Sequence, residues 1–241
     1  MQYEKDFLMP NYEQILKENV LPSPMTYAQW VEWNNWGTSD MSNNPEFSVV
    51  ATDDPHLQVS PSQKATNAKK FAEKVKKGDF MVVSNHRDPG APYVGHAAIA
   101  TTDKYILDMP GYRDGSRPKD DNNRQLTKQH WIGHYKKGWV TLYRLNASAK
   151  VRSDIATWAD WRYWSSKHEY TKNRHVEYSL VTPNKGDFGR AYCSKLVYQA
   201  MYYGSGDLPL LKPTIPVTII APGQLYDYVA PKYKPTKIGV Y

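Results

Sequence analysis

Apolar residues recur along this chain with two different periods, and the change between them organises it. Over 62–77, Ala65, Ala68, Phe71, Ala72 and Val75 fall at helical spacing, and Gly78 stands at the expected stop. Beyond Gly78 the period shortens. Segments 79–84, 94–101, 105–109 and 138–144 read as strands, with a tight turn at Asp103 and Lys104 joining two of them. Residues 110–124 form a polar loop of Gly, Asp, Arg and Asn. The helical period returns over 153–165, with Ile155, Trp158, Ala159 and Arg162 along one side. It returns again over 193–203, where Leu196, Val197, Ala200 and Met201 face inward and Gly204 closes the helix. Segment 176–181 alternates like a strand, 217–221 reads as a last short strand, and 224–229 as a helical turn. Helices and antiparallel-type strands without regular βαβ alternation predict an α+β domain, a central antiparallel sheet packed against helices.

Residues 1–60 read differently, as an irregular and partly helical extension before the domain at 61–241. Helices are expected over 12–19 and 26–36, the second carrying Trp30 and Trp33 on one face, and 38–45 reads as a loop. The spacing of the two tryptophans points to packing against a neighbour rather than a ligand shelf.

Composition narrows the function classes. With 40% hydrophobic and 23% charged residues over 241 positions, the chain has enough apolar material for a core without staples. A net charge of +7 suits anionic surroundings, an acidic cell wall among them. The densest basic cluster, Lys69, Lys70, Lys74, Lys76 and Lys77, lies on one helix as a solvated face, and no nucleic-acid motif accompanies it. Aromatics reach 13%, with 19 Tyr and 8 Trp, enough to line a site for an amphipathic ligand as well as to fill a core. No run is apolar for long enough to span a bilayer. The opening residues Met1–Asp6 carry no basic-then-apolar leader, which leaves the cytosol, or the cell envelope if a leader has been removed.

The lone cysteine changes the picture most. Cys193 stands at the start of a predicted helix, where unpaired backbone N–H groups and the helix dipole favour thiolate, the nucleophilic form. A cysteine nucleophile needs a base and a group to orient that base. His96 lies in an otherwise apolar strand, Gly95-His96-Ala97-Ala98-Ile99-Ala100, and a buried ring there requires a partner. Asp108 is the acid of the next strand. A hairpin turning at Thr102 and Asp103 sets it opposite His96 or one step away. Asp108 on one ring nitrogen leaves the other for the thiol. The same two residues also suit a purely structural pair. His130 and His134 lie four apart, but no carboxylate or cysteine completes a metal set, and His86 reads as a loop residue. No phosphate-binding glycine motif appears, so neither metal nor cofactor is expected.

The ordered run Lys77-Gly78-Asp79-Phe80, Gly95-His96-Ala97-Ala98-Ile99, Ile106-Leu107-Asp108 and Tyr192-Cys193-Ser194-Lys195-Leu196 resembles the circularly permuted, YiiX/YebB-like branch of the NlpC/P60 superfamily of papain-like cysteine peptidases and amidases. The resemblance covers roughly residues 77–230 and implies a permuted papain-like fold. It implies Cys193 as nucleophile, His96 as base and Asp108 as orienting acid. Asp108 departs from the Glu common in relatives, and Lys195 stands where an acid is usual. The Cys193 backbone N–H would hold an oxyanion, with Tyr192 or Tyr93 as a second donor. The expected substrate is an amide, the D-glutamate–diamino-acid bond of peptidoglycan stem peptides, cleaved through a thioester acyl-enzyme. Two other readings stand beside it: a thiol-dependent lipid amidase or acyltransferase, and a non-catalytic wall-binding module.

Overall fold

The apolar runs that follow Gly78 assemble into one sheet. The computed structural model describes residues 12–13, 26–28, 61–84, 95–111, 118–135, 139–180, 182–213 and 220–241. In chain order these form α1 (Pro61–Lys74), β1 (Phe80–Ser84), β2 (His96–Ala100), β3 (Tyr105–Asp108), β4 (Arg124–Thr127), α2 (Lys128–His134) and β5 (Trp139–Arg144). There follow α3 (Ala149–Tyr163), β6 (Glu177–Tyr178), β7 (Arg190–Ala191), α4 (Cys193–Gly204), α5 (Leu225–Tyr228) and β8 (Thr236–Val240). Six strands pair in the order β4-β3-β2-β1-β5-β8, all antiparallel, while β6 and β7 make a separate parallel pair. The architecture is therefore mixed α+β around a central antiparallel sheet, as the sequence pattern predicts.

Helices cover both faces of this sheet. Phe80, Val82, Ala97, Ile99, Leu107 and Tyr143 point towards α3 and α4. Met81, Val83, Ala98, Ala100, Ile106 and Leu142 point the other way, onto Phe71 of α1 and Trp131 of α2. Burial on both sides explains why these strands read as near-continuous apolar runs instead of alternating ones. Each large side chain so buried contributes roughly 1.5–3 kcal/mol.

Two glycines set the joints of the framework. Gly78, at φ +84°, approaches the Arg152 backbone so closely that a Cβ there would strike its carbonyl. The adjoining Asp79 carboxylate accepts from the Lys76 backbone N–H at 2.8 Å and from Arg144 at 2.8 and 2.7 Å. The Gly-Asp pair thus fastens α1 to the sheet. Gly204 lets the end of α4 press against α3, where an added Cβ would lie 2.6 Å from the Ile155 Cα.

Several boundaries differ from the pattern. The aromatic helix α3 begins at Ala149, four residues earlier than its apolar period, because Ser148 caps it by accepting from the Val151 N–H at 3.2 Å. The polar loop ends in an unpredicted strand, β4, which runs directly into α2, capped by Thr127. β8 is also unpredicted, and the strand expected over 176–181 shortens to β6. Of the strand expected over 217–221, residues 217–219 lie outside the described residues, and Ala221 precedes a 3-10 turn at Pro222–Gln224. Of the extension, Tyr12 and Tyr27 are described. Both are helical, their rings meet edge to face at 5.5 Å, and both pack on the α3/α4 side of the core. Trp30, Trp33 and the loop at 38–45 lie outside the described residues.

Candidate active site

His96 opens β2 and Asp108 closes β3, so the hairpin between them carries a base and an acid at the same end of the sheet. In the register, Asp108 pairs with Ala98 rather than with His96. The register is centred on Asp103, and His96 stands two residues from Ala98 along β2, which keeps the His96 and Asp108 side chains on one face. His96 Nε2 meets Asp108 Oδ2 at 2.9 Å, with the two residues 1% and 0% exposed.

Asp108 is heavily solvated by protein donors. Arg124 donates from Nε to Oδ1 at 2.8 Å and from Nη2 to Oδ2 at 3.1 Å. The Trp131 indole N–H reaches Oδ2 at 2.8 Å, and the Tyr135 hydroxyl reaches it at 3.0 Å. Burial alone would raise the carboxyl's pKa. The Arg124 charge and the His96 ring outweigh it and hold Asp108 well below the usual carboxylate range. The His96 ring also stacks on Tyr135, centroids 5.4 Å apart at 22°. Arg124, Trp131 and Tyr135 were not singled out by sequence reasoning. The available signal was indirect: an Asp in an apolar strand demands a countercharge, and Arg124 ends the polar loop that returns beside it.

Cys193 is the first residue of α4. Tyr192 precedes it in extended backbone, φ −135° and ψ 170°, and caps the helix with no side-chain hydrogen bond. The thiol is 4% exposed and 3.9 Å from the Ser194 hydroxyl. Burial pushes its pKa up to about 11, and the Asp108 carboxylate acts in the same direction. Hydrogen bonding from the Ala97 backbone N–H, and from the Ser194 hydroxyl and backbone N–H, opposes this only in part. The sequence argument from the helix terminus favours thiolate; here desolvation wins over the dipole, and the group at rest is a thiol. Ala97 directly follows His96, so the sulfur lies against the peptide that begins β2. Cys193, far from β2 in sequence, thus packs against the strand end that His96 opens.

The other predicted positions fare differently. The Tyr192 hydroxyl donates to Asn184 Oδ1 at 2.8 Å and accepts from the Ile220 N–H at 3.0 Å. It is a fully buried bolt between segments. Tyr93 and His86 lie outside the described residues. His130 and His134 stack on each other, centroids 5.0 Å apart. Among the described residues no group of three or more His, Cys, Asp or Glu side chains is arranged to hold a metal. Lys195, also buried, donates to Thr182 Oγ1 at 2.6 Å and to the Asp187 and Arg190 carbonyls at 2.8 and 2.6 Å. Burial pulls its pKa down to about 8. Lys195 thus ties the 182–190 loop to α4.

The family described as "Lipoprotein N-acylation protein LnsA-like" matches residues 49–241. An uncharacterised 30.3 kDa protein of Bacillus thuringiensis is 31% identical over 243 aligned residues, covering 100% of this chain and 80% of that protein. No solved structure matches significantly. The family match favours the lipid-acyl reading over the peptidoglycan one.

Proposed function

Since the chain belongs to the LnsA-like lipoprotein N-acylation family, we propose that it is a thiol-dependent acyltransferase that takes a fatty acyl group from a lipid ester and delivers it to an amine. The observation that carries this reading is the buried Cys193 beside a hydrogen-bonded His96–Asp108 pair, an arrangement suited to a thioester intermediate. A nucleophile and a base on two packed elements, in the order His, acid, Cys, also support a permuted papain-like fold.

In the proposed cycle His96 takes the Cys193 proton through the ring nitrogen not held by Asp108, as the sulfur attacks the ester carbonyl. Because the resting thiol is protonated, this transfer accompanies attack instead of preceding it. The carboxylate of Asp108 fixes the ring and stabilises its transient positive charge. Backbone N–H groups at the uncapped start of α4 face the oxyanion. The C–O bond breaks, and the departing alcohol takes the proton from His96. An amine then attacks the thioester, His96 accepts its proton, the C–S bond breaks, and the proton returns to sulfur. One ester bond is exchanged for one amide bond, with no redox change. A dry site favours the amine over water as acceptor, because water entering it would hydrolyse the thioester.

The test is incubation with a phospholipid donor and, separately, with peptidoglycan fragments, read by intact-protein mass spectrometry. The lipid is expected to add one acyl chain to the protein, removed by hydroxylamine and absent in Cys193→Ala. Cleavage of the stem peptide without acylation by lipid would overturn the proposal. Adding an amine-terminated diacylglyceryl peptide should then chase the acyl group into an amide.

A further inference from the structure

A second constellation lies away from Cys193, at the end of α3 and in the segment that follows it. The sequence there reads Trp161-Arg162-Tyr163-Trp164-Ser165-Ser166-Lys167-His168-Glu169-Tyr170-Thr171-Lys172-Asn173-Arg174-His175, aromatic and basic residues interleaved with one acid. The segment folds back on itself: the Asn173 and Arg174 N–H groups donate to the Trp164 carbonyl at 3.0 and 3.1 Å, and the Trp164 indole donates to the Tyr170 carbonyl at 3.1 Å. This leaves Trp161 39% and Tyr170 75% exposed, two of the large apolar side chains on the described surface.

Arg162 and Arg174 are the unusual members. Arg162 lies over the Phe188 ring at 4.2 Å, and Arg174 over the Trp161 ring at 5.7 Å. The Nε of each is buried and has no hydrogen-bond partner among the described residues. The surrounding acids are already engaged: Asp121 by Lys172 and His175, Asp160 by His168, and Asp187 by Arg190. Burial and the neighbouring Arg174 charge both disfavour the charged form of Arg162. Two neighbouring like charges, each with an Nε that no described residue accepts from, make a site complementary to an anion that accepts several hydrogen bonds. A phosphate diester is such an anion. Exposed aromatic rings beside basic groups match the headgroup level of a bilayer, where amphipathic rings and long cationic side chains settle. No helix among the described residues is long and apolar enough to cross a membrane, so a lipid must be met at the surface.

We propose that the Trp161–His175 segment docks this protein on an anionic phospholipid bilayer, with Arg162 and Arg174 gripping a lipid phosphate and Trp161 and Tyr170 entering the headgroup layer. This rests on the reading above only in supplying that site with its acyl donor; docking itself needs no catalysis.

The experiment is co-sedimentation of the full chain with vesicles of phosphatidylglycerol and phosphatidylcholine in equal parts, against phosphatidylcholine alone. Binding is expected on the anionic vesicles, falling at least about tenfold in Arg162→Gln/Arg174→Gln. Tyr170→Ala, at a position 75% exposed whose ring meets that of Tyr105 edge to face, should weaken binding several-fold. Lys69→Gln/Lys70→Gln, on the far side of the sheet, should leave it within about twofold. Equal binding to both vesicles, an equal loss in the lysine variant, or unchanged binding in both the arginine and Tyr170 variants would overturn the proposal. So would uptake of inorganic phosphate at the arginine pair without partition onto vesicles. Cys193→Ala should bind like the natural sequence. Docking of the natural chain with no acyl transfer to Cys193 would sink the catalytic reading alone. Acyl transfer from detergent-dispersed lipid without vesicle binding would sink this one alone.

Discussion

Cys193 and Asp108 are both enclosed, yet their environments drive them in opposite directions. Asp108 is surrounded by donors and by a guanidinium, so it stays ionised in the interior. Cys193 has two backbone N–H groups and a hydroxyl beside it, and burial prevails over them. Alkylation of Cys193 by iodoacetamide should therefore be slow at pH 7 and rise steeply only as pH approaches about 11, from an ordinary value of 9.0 for an unburied thiol. Denaturant should restore the ordinary profile. Fast labelling of the native protein at pH 7 would mean that an ion pair with His96 exists at rest. The same thiol makes a contribution to stability that is complete below about pH 9 and declines as pH rises towards 11, since the folded chain retains the proton that the unfolded chain releases.

Elements, more than single residues, decide how tightly the helix of Cys193 is held. The contact of α3 with α4 runs through Gly204, whose missing Cβ leaves room for the Ile155 backbone and the Trp158 Cβ at 2.6 and 3.0 Å. Gly204→Ala should separate the helices and cost about 1–3 kcal/mol in urea unfolding, despite the gain in helix propensity. An unchanged midpoint would show that the helices slide apart freely. The elements that carry Cys193, His96 and Asp108 were legible from sequence because their apolar positions repeat with a clean period and their ends are marked by glycine or a turn. β4, α2 and β8 were not legible. β4 is Arg-Gln-Leu-Thr at a sheet edge, where pairing rather than burial makes the strand, and polar residues carry no periodic signal there. β8 pairs with β5 on the opposite edge and keeps its side chains half-buried. Local sequence placed the His96–Asp108 hairpin but not its exact register, because the Thr101–Lys104 connection is set by hydrogen bonds such as Thr101 N–H to the Tyr105 carbonyl at 3.0 Å.

At the scale of the molecule, the two faces of the sheet divide the labour. One layer, α3 with α4, brings Cys193; on the other side, β4 and α2 bring Arg124, Trp131 and Tyr135 to Asp108. Removing Arg124 therefore reaches beyond one contact, since it leaves a carboxylate at 0% exposure without its countercharge. Arg124→Ala should lower the unfolding free energy by roughly 3–5 kcal/mol. It should also weaken the acid dependence of stability. In the natural sequence the Asp108 contribution is complete above its unfolded value of 3.8 and is lost as pH falls towards the lower folded value. A variant melting curve that follows the natural one through acid would remove Arg124 from this role.

The distances along the chain between the site's parts have a consequence for biogenesis. His96 and Asp108 are 12 residues apart and meet within a single hairpin, an early and local event. Cys193 arrives only when α4 docks, after most of the sheet has been synthesised and paired. A nascent or partly folded chain holds the His96–Asp108 pair without Cys193, and an isolated α4 exposes its thiol away from that pair. Under the proposed acyl transfer, competence would be the last property the chain acquires, which would protect it from trapping stray acyl groups while it is still being made.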